Sequence, residues 1–253
     1  MGFDSSKMSL AEKLLWSYGV TTAEHIDLEA IAYDRNARVV HRHLEGCEAR
    51  LVAHAGRAVI SINPANSEGR QRFSLGHEIA HWICDHNTGS FQCASADIGP
   101  QNAEAKSVEA AANGYASQLI LPTYLVDPWT AGRAVSLTVA SELGTTFRAS
   151  TTAAAIKLAK RSAKPCAVAC HSKTTLVWHQ RSSSFPYELH IVRELHPETE
   201  AMTMAFTAQA GMTRPKKGPA NHWLLGRDAY RQTVETQSLK LPDGNVLTFI
   251  ALS

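Results

Sequence analysis

Apolar and polar residues follow two different periods in the first third of the chain. Apolar positions recur at helical spacing over Leu10–Tyr18 and Asp27–Arg35, which predicts two short amphipathic helices. A longer helix is predicted from Asn66 or Ser67 through the stretch SLGHEIAHWICDH. Strand-like alternation lies between these helices and predicts three strands: Arg38–His41, Ala49–Ala53 and Ala58–Ile62.

The rest of the chain changes from helical to strand-like spacing. Helices are predicted over Lys106–Leu121, Ser136–Leu143 and Ser150–Arg161, whereas Asn87–Asn102 is rich in Gly, Ser and Asn and predicts an irregular loop. Beyond residue 164, short segments separated by Pro, Gly and Ser predict strands: Val168, Thr174–Trp178, Tyr187–Val192, Met202–Phe206 and Val246–Leu252.

This change of spacing near residues 162–164 indicates a domain boundary. We therefore expect an α+β fold in three parts: a domain of helices and a small sheet over residues 1–130, a helical segment over 131–163, and a β-rich domain over 164–253. Hydrophobic residues make up 44% of the chain and charged residues 19%. This balance supports a folded core and excludes wholesale disorder.

Charge and targeting signals narrow the classes of partner. The net charge of +2 is too small to predict a nucleic-acid partner by itself. No apolar run reaches the roughly 18 residues that a membrane span needs, and the first 20 residues lack the pattern of a signal peptide. The five cysteines are odd in number and scattered, so no disulfide framework is expected. We expect a cytoplasmic protein without a membrane partner.

Two histidines four residues apart give the strongest chemical signal. His77 and His81 project from one face of a helix, and Glu78 lies about 100° round the helix axis from His77. In the H-E-x-x-H pattern, two neutral imidazoles bind Zn²⁺ and the glutamate acts as the general base. A chance match is the alternative, because the pattern is short and the chain holds 12 histidines.

A catalytic zinc site also needs a third protein ligand and an open fourth position. The helix KSVEAAANGYASQLILP offers Glu109 beside small alanines, which would allow a close approach to the motif helix. Asn113 lies one turn later on the same face and could orient a ligand histidine. Glu104 is the rival ligand, but it lies in or near the predicted loop. We favour Glu109, since helices hold ligands more rigidly.

Beyond the single motif, the chain resembles the ImmA/IrrE family of bacterial metallopeptidases. The resemblance lies in DLEAIA, VISIN, RQRFSLGHEIAHWICDH and VEAAANGYASQLILP, with the pattern N-x-x-A-x-x-L-x-x-P at Asn113, Ala116, Leu119 and Pro122. It covers about residues 10–130 strongly. The resemblance implies a zincin-like domain, and a protease that cleaves a helix-turn-helix repressor in mobile-element control or a DNA-damage stress response. Longer, IrrE-type members carry a GAF-like sensor domain at the C-terminus.

The resemblance also assigns residues. It places the zinc ligands on His77, His81 and Glu109, and the catalytic residue on Glu78. The same ligands accept manganese or iron in a cell, so the family pattern does not fix the metal. This chain departs from the family at Gly76, where alanine is commoner, and at Ala111, where many members carry a second acid.

Further residues could support the site. Asp85 lies one turn beyond His81 and could hydrogen-bond it, although such a residue more often caps or solvates a helix end. Peptide hydrolysis also needs a donor to the developing oxyanion. The candidates are Tyr115, Tyr124 and Arg72, and the sequence does not choose among them.

The stretch SLTVASELGTTFRASTTAAAIKLAKR is similar to a helix-turn-helix. If it bound DNA, its second helix would enter the major groove. The alternative is a packed pair of helices, which the low net charge favours, so DNA is not the preferred partner. Two rival functions therefore stand beside the peptidase. One is a DNA-binding transcriptional regulator with a structural or vestigial metal site, and the other is a protein-interaction module that needs no metal.

Overall fold

The computed structural model describes residues 5–84, 91–93, 107–207 and 210–253. The chain forms two compact units, and the α+β fold class predicted from the sequence is confirmed. Within the described ranges, no helix is long and apolar enough to cross a membrane. The N-terminal unit comprises Met1–Ala131 and Leu143–Ser150, and the C-terminal unit comprises Gly132–Glu142 and Thr151–Ser253. The three-part division predicted above stays a prediction.

The N-terminal unit combines helices with a small mixed sheet. Its sheet has the order β1-β3-β2-β4, with β1 parallel to β3 and the remaining neighbours antiparallel. Ile60 and Ile62 of the central strand are fully buried, and α3 packs against β2 and β3. Its elements in chain order are α1 (Leu10–Ser17), α2 (Leu28–Asp34), β1 (Ala37–His41), β2 (Ala49–His54), β3 (Arg57–Ile62), α3 (Glu68–Cys84), β4 (Phe91–Cys93), α4 (Ser107–Ile120) and α5 (Thr123–Thr130).

The prediction of an irregular loop over Asn87–Asn102 was wrong for Phe91–Cys93. These three residues pair with β2 in antiparallel register. A strand of three residues is too short to show an alternating pattern, and its hydrogen bonds to β2 depend on tertiary structure rather than local sequence. The other residues of the predicted loop lie outside the described ranges.

A buried carboxylate fixes the start of two helices. Ser9 and Glu12 form a reciprocal capping box at the N-terminus of α1. The same Glu12 carboxylate accepts a hydrogen bond of 2.6 Å from the main-chain N–H of Thr123, at the start of α5. Since this N–H has no partner inside its own helix, Glu12 satisfies it. The sequence pattern ended at Pro122 and did not predict α5.

The C-terminal unit is built on a larger antiparallel sheet. Its strands follow the order β6-β5-β12-β11-β8, with β9 also paired to β11, while β7 and β10 form a separate pair. Its core includes Val246, Ile250 and Trp223. The strands and the last helix are β5 (Cys166–Ser172), β6 (Thr175–Arg181), β7 (His190–Ile191), α8 (Glu200–Phe206), β8 (Gly211–Met212), β9 (Lys216–Pro219), β10 (Leu224–Leu225), β11 (Thr233–Lys240) and β12 (Val246–Leu252). Helix α7 (Thr151–Arg161) belongs to this unit, and α6 (Leu137–Phe147) contributes residues to both.

One strand prediction is wrong in the C-terminal unit, and one strand there was not predicted. Met202–Phe206 was predicted as a strand but lies in α8, whose first turn is capped by the hydroxyl of Thr199. Strand β11 was not predicted, because it buries the polar side chains of Gln237 and Ser238. Ser238 hydrogen-bonds Thr248 at 2.8 Å, and Gln237 donates to Thr138 at the same distance. Polar partners thus replace the apolar alternation that a sequence pattern detects.

Helix α3 begins against the main chain at the end of the N-terminal unit. A Cβ atom on Gly69 would lie 2.5 Å from the Ser150 nitrogen and 2.8 Å from the Ala149 carbonyl carbon. We expect Gly69→Ala to lower the free energy of unfolding by about 1–3 kcal/mol, because backbone must move to relieve the overlap. Gly114→Ala in α4 is the matched control, since its Cβ would meet no atom of the described residues within 4 Å.

Urea unfolding followed by circular dichroism would measure both variants. The control should be neutral or more stable by up to about 1 kcal/mol, because alanine favours a helix over glycine. Equal stability of Gly69→Ala and the unsubstituted protein would contradict this close backbone approach.

A buried histidine makes the stability of the C-terminal unit depend on pH. His171 in β5 is fully buried, and this burial lowers its pKa from 6.5 to about 4. The main chain of Val192 and the carboxylate of Glu194 offset only part of the effect. The folded state therefore keeps His171 neutral, whereas the unfolded chain takes up a proton near pH 6.5. The stabilisation is complete above that pH and is lost as the pH falls towards 4.

We expect His171→Leu to remove this loss, which amounts to about 3 kcal/mol between pH 7 and pH 4. Thermal or urea unfolding across this range, with a chelator present, would measure the difference from the unsubstituted protein. His190→Leu serves as the control, because His190 is exposed in the same unit. Parallel pH profiles for the unsubstituted and His171→Leu proteins would refute the assignment.

Candidate metal centre

Small residues allow two helices of the N-terminal unit to approach closely. A Cβ atom on Gly76 of α3 would lie 3.4 Å from both the Cα and the Cβ of Ala116 on α4. An alanine at position 76 would still make ordinary van der Waals contact, whereas a side chain larger than alanine at either position would push the helices apart. Because Glu109 and Asn113 lie on the Ala116 face of α4, this contact brings them towards the histidines of α3.

Three donor atoms from these helices form a compact triangle. The Nε2 atoms of His77 and His81 are 3.0 Å apart, and the Glu109 Oε2 atom lies 3.2 Å from the first and 3.5 Å from the second. Zinc bonds to nitrogen and oxygen measure about 2.0–2.2 Å, so donors around a tetrahedral zinc lie roughly 3.3 Å apart. The triangle therefore fits a single zinc-sized cation with three protein ligands.

Ring orientation supports the same fit. The His77 and His81 rings lie nearly perpendicular, at 78°, with centroids 4.6 Å apart. The Asn113 Oδ1 atom lies 3.1 Å from His77 Nδ1. An amide oxygen only accepts, so Nδ1 carries the ring proton and the Nε2 lone pair faces the triangle. Asn113 thus selects the tautomer that a metal ligand requires.

Burial makes a cation at this position favourable. His77 and Glu78 are fully buried, and every residue from Ser74 to His81 is buried. Ionised carboxylates are costly to bury unless opposite charge lies nearby. A divalent cation held by the imidazole nitrogens and the Glu109 carboxylate, with the Glu78 carboxylate on the same helix as the histidines, would supply that opposite charge. The donor set and the charge both fit zinc.

The predicted oxyanion donors occupy different environments. The Tyr124 hydroxyl donates to the Val20 carbonyl at 2.7 Å, and burial raises its pKa to about 12. An Arg72 Nη2 group donates to the Ile26 carbonyl at 3.3 Å. Tyr115, whose pKa burial also raises to about 12, lines an apolar cavity. Asp85 and Glu104 lie outside the described residues.

That apolar cavity was not predicted from the sequence. It has a volume of about 430 Å³ between α1, α3 and α4, and it includes Ala80 and Cys84, which flank His81 on α3. Its other lining residues include Leu10, Ala112 and Tyr115. The apolar face of α1 has the periodicity of an ordinary amphipathic helix, so no local signal distinguished it from core.

Comparisons with known proteins agree with this geometry. A model of a peptidase family, described as the IrrE N-terminal-like domain, matches residues 29–159, just over half of the chain. The chain belongs to this family. The matched range of the IrrE-like domain contains α3 and α4, and with them the three donors and Glu78.

A solved structure extends the likeness beyond the IrrE-like domain. A transcriptional regulator from Mycobacterium tuberculosis shares the fold with a TM-score of 0.64 at 13% sequence identity. The match covers 96% of this chain and 75% of that chain. No curated protein matches the chain.

The Asn113 contact predicts a measurable effect on metal affinity. We expect Asn113→Ala to weaken zinc binding about 10–100-fold, because His77 would lose the acceptor that fixes its tautomer. Asn113→Asp should retain most of the affinity, since a carboxylate oxygen also accepts from Nδ1–H. Competition against a chromogenic chelator would measure both variants, with circular dichroism as a check of folding. Unchanged affinity in Asn113→Ala would contradict the assigned role.

Proposed function

We propose that this protein is a zinc-dependent endopeptidase that cuts a cytoplasmic protein at one exposed loop. The observation that carries the proposal is the triangle of donor atoms from His77, His81 and Glu109. The buried Glu78 lies beside it, on the same helix as the two histidines. Membership of a peptidase family supports hydrolysis of a peptide bond as the reaction. Manganese or iron could occupy the same ligands in a cell.

The chain's own residues would divide the work as follows. His77, His81 and Glu109 would hold the ion through two imidazole nitrogens and a carboxylate oxygen. Zinc bound there would polarise the scissile carbonyl and lower the pKa of a water molecule. The Glu78 carboxylate takes a proton from the attacking water and returns it to the leaving amine nitrogen. Asn113 keeps His77 oriented throughout the reaction.

The proposed substrate is a helix-turn-helix transcriptional repressor, and its cleavage would relieve repression. The resemblance to ImmA/IrrE peptidases supports this choice. The proposed setting is control of a mobile element or a response to DNA damage. Limited cleavage suits such a switch, because one cut separates a DNA-binding segment from the rest of a repressor.

A DNA-binding regulator is the second candidate, and the name of the structural neighbour favours it. Helix α7 would have to supply the reading face. Its exposed basic residues, Lys160 and Arg161, lie only in the last turn, and its middle packs against β5 and β6. The buried residues of this helix are Ala154, Ala155, Lys157, Leu158 and Ala159. A recognition helix needs an exposed face to enter the major groove, so burial favours the peptidase.

Substitutions in the HExxH motif should separate metal binding from catalysis. We expect Glu78→Gln to keep zinc but to lower the cleavage rate by about 10²-fold or more, because the amide cannot accept the water's proton. His77→Ala should lose both zinc and cleavage. Metal analysis of the purified variants, and a cleavage assay on any helix-turn-helix repressor encoded beside the gene, would measure these effects.

Matched controls are available in the same unit. Glu29→Gln and His41→Ala change exposed residues and should leave zinc content and cleavage unchanged. Cleavage at the normal rate by Glu78→Gln would exclude Glu78 as the base. Salt-dependent DNA binding that persists in Glu78→Gln, without cleavage by the unsubstituted protein, would instead support the regulator.

A further inference from the structure

We propose a second site for a divalent transition-metal ion, in the C-terminal unit, formed by His196, Glu198 and His222. The donor atoms of these three residues all lie within 4.8 Å of one another. The Glu198 Oε2 atom is 3.5 Å from His222 Nε2, and the His196 and His222 rings stack with centroids 3.9 Å apart. This site does not depend on the peptidase proposal.

The main chain on both sides of the cluster is anchored in the core. His196 begins a turn in which its carbonyl accepts hydrogen bonds from the Thr199 main-chain N–H, at 3.0 Å, and hydroxyl, at 2.7 Å. Thr199 is buried and caps α8. Leu195, just before this turn, and Ala201, in the first turn of α8, are also buried. One half of the cluster therefore rests on a fixed backbone.

His222, the remaining member of the cluster, also lies on a turn that is anchored by buried residues. His222 ends a 3-10 turn, Ala220–His222, and lies between the buried residues Ala220 and Trp223. The Trp223 N–H donates to the Ala220 carbonyl at 2.9 Å, which closes the turn. The His222 and His196 side chains are half-buried, while Glu198 is exposed. The donors thus stand on rigid turns at the surface, where an ion can reach them.

Metal binding requires a small rearrangement of side chains. The stacked rings are nearly parallel, at 7°, so their nitrogen lone pairs do not converge. A metal lies in the plane of each coordinating ring, and one ring must therefore rotate. His196 Nδ1 now accepts a long hydrogen bond of 3.3 Å from the Glu198 N–H, which it must give up if Nδ1 becomes the ligand atom. The site should bind more weakly than the His77 site.

The donor chemistry limits the ion. Two imidazoles and one carboxylate suit zinc, nickel, copper or cobalt, whereas magnesium and calcium prefer oxygen ligands alone. An ion held by all three residues would link the turn before α8 to the turn before β10. Because only the folded unit brings them together, binding would stabilise that unit, and the stabilisation would grow with the logarithm of the metal concentration above the dissociation constant.

The test uses the full chain with the first site removed by His77→Ala and His81→Ala. Calorimetric titration with Zn²⁺ should show one equivalent bound to this background. Adding His222→Ala or Glu198→Gln should weaken the binding about tenfold or more. Adding His190→Ala should not change it, since His190 is exposed in the same unit but outside the cluster. No binding to the background, or binding unaffected by His222→Ala, would overturn the proposal.

A second measurement covers the case in which the background variant fails to fold. At Zn²⁺ concentrations near the dissociation constant of the second site, the protein with its first site intact should bind measurably more Zn²⁺ than His222→Ala alone, whose second site is about tenfold weaker or more. Equal Zn²⁺ binding by these two proteins would exclude the second site. Peptidase activity enters neither experiment, so the outcome is independent of the cleavage assay.

Discussion

The contact between Gly76 and Ala116 is the constraint on which the metal centre depends. Helix α3 supplies two donors and the proposed base, but the third donor comes from a helix that starts 23 residues after α3 ends. Only a close approach of α3 and α4 brings Glu109 Oε2 within 3.2–3.5 Å of both Nε2 atoms. Small side chains at this crossing therefore help to bring three separate donors into one candidate site.

Helix α3 carries ionisable side chains at buried positions where most helices carry apolar core residues. Ser74 to His81 is buried without interruption, although this stretch contains two histidines and a glutamate. An apolar stretch of the same volume would pack here at lower cost, because buried ionisable groups lose their hydration. The cost is offset when a divalent cation is bound, so the geometry makes ion binding and the stability of this unit interdependent. The same low-polarity surroundings strengthen the electrostatic interactions of a bound ion.

The sequence predicted those helices and strands whose formation depends on residues close together in the chain. The helix of the HExxH motif, the strands β1 to β3 and the helical pair α6 and α7 all follow from periodicity within short windows. Helix α5 was missed, because its first N–H is satisfied by Glu12, more than a hundred residues away. Strand β11 was missed because Ser238 and Thr248 pair across two strands in place of apolar contacts.

Contacts between residues far apart in the chain also limited what the sequence could predict about the site. The sequence offered both Glu109 and Glu104 as the third ligand, and only the packing of α4 on α3 places Glu109 against the histidines. The sequence also did not predict the cluster of His196, Glu198 and His222, for a related reason. Its two histidines stand 26 positions apart and meet only through the folding of two surface turns.

The two histidine pairs show why one site is prepared for a cation and the other is not. His77 and His81 are held at 78° by a helix, and Asn113 fixes one ring, so their lone pairs already converge. His196 and His222 lie on separate turns and stack at 7°, so one ring must rotate before an ion can bind. A site of the first kind would need little rearrangement to accept an ion. A site of the second kind would need one ring to rotate on binding, which suits weak, reversible binding of an ion.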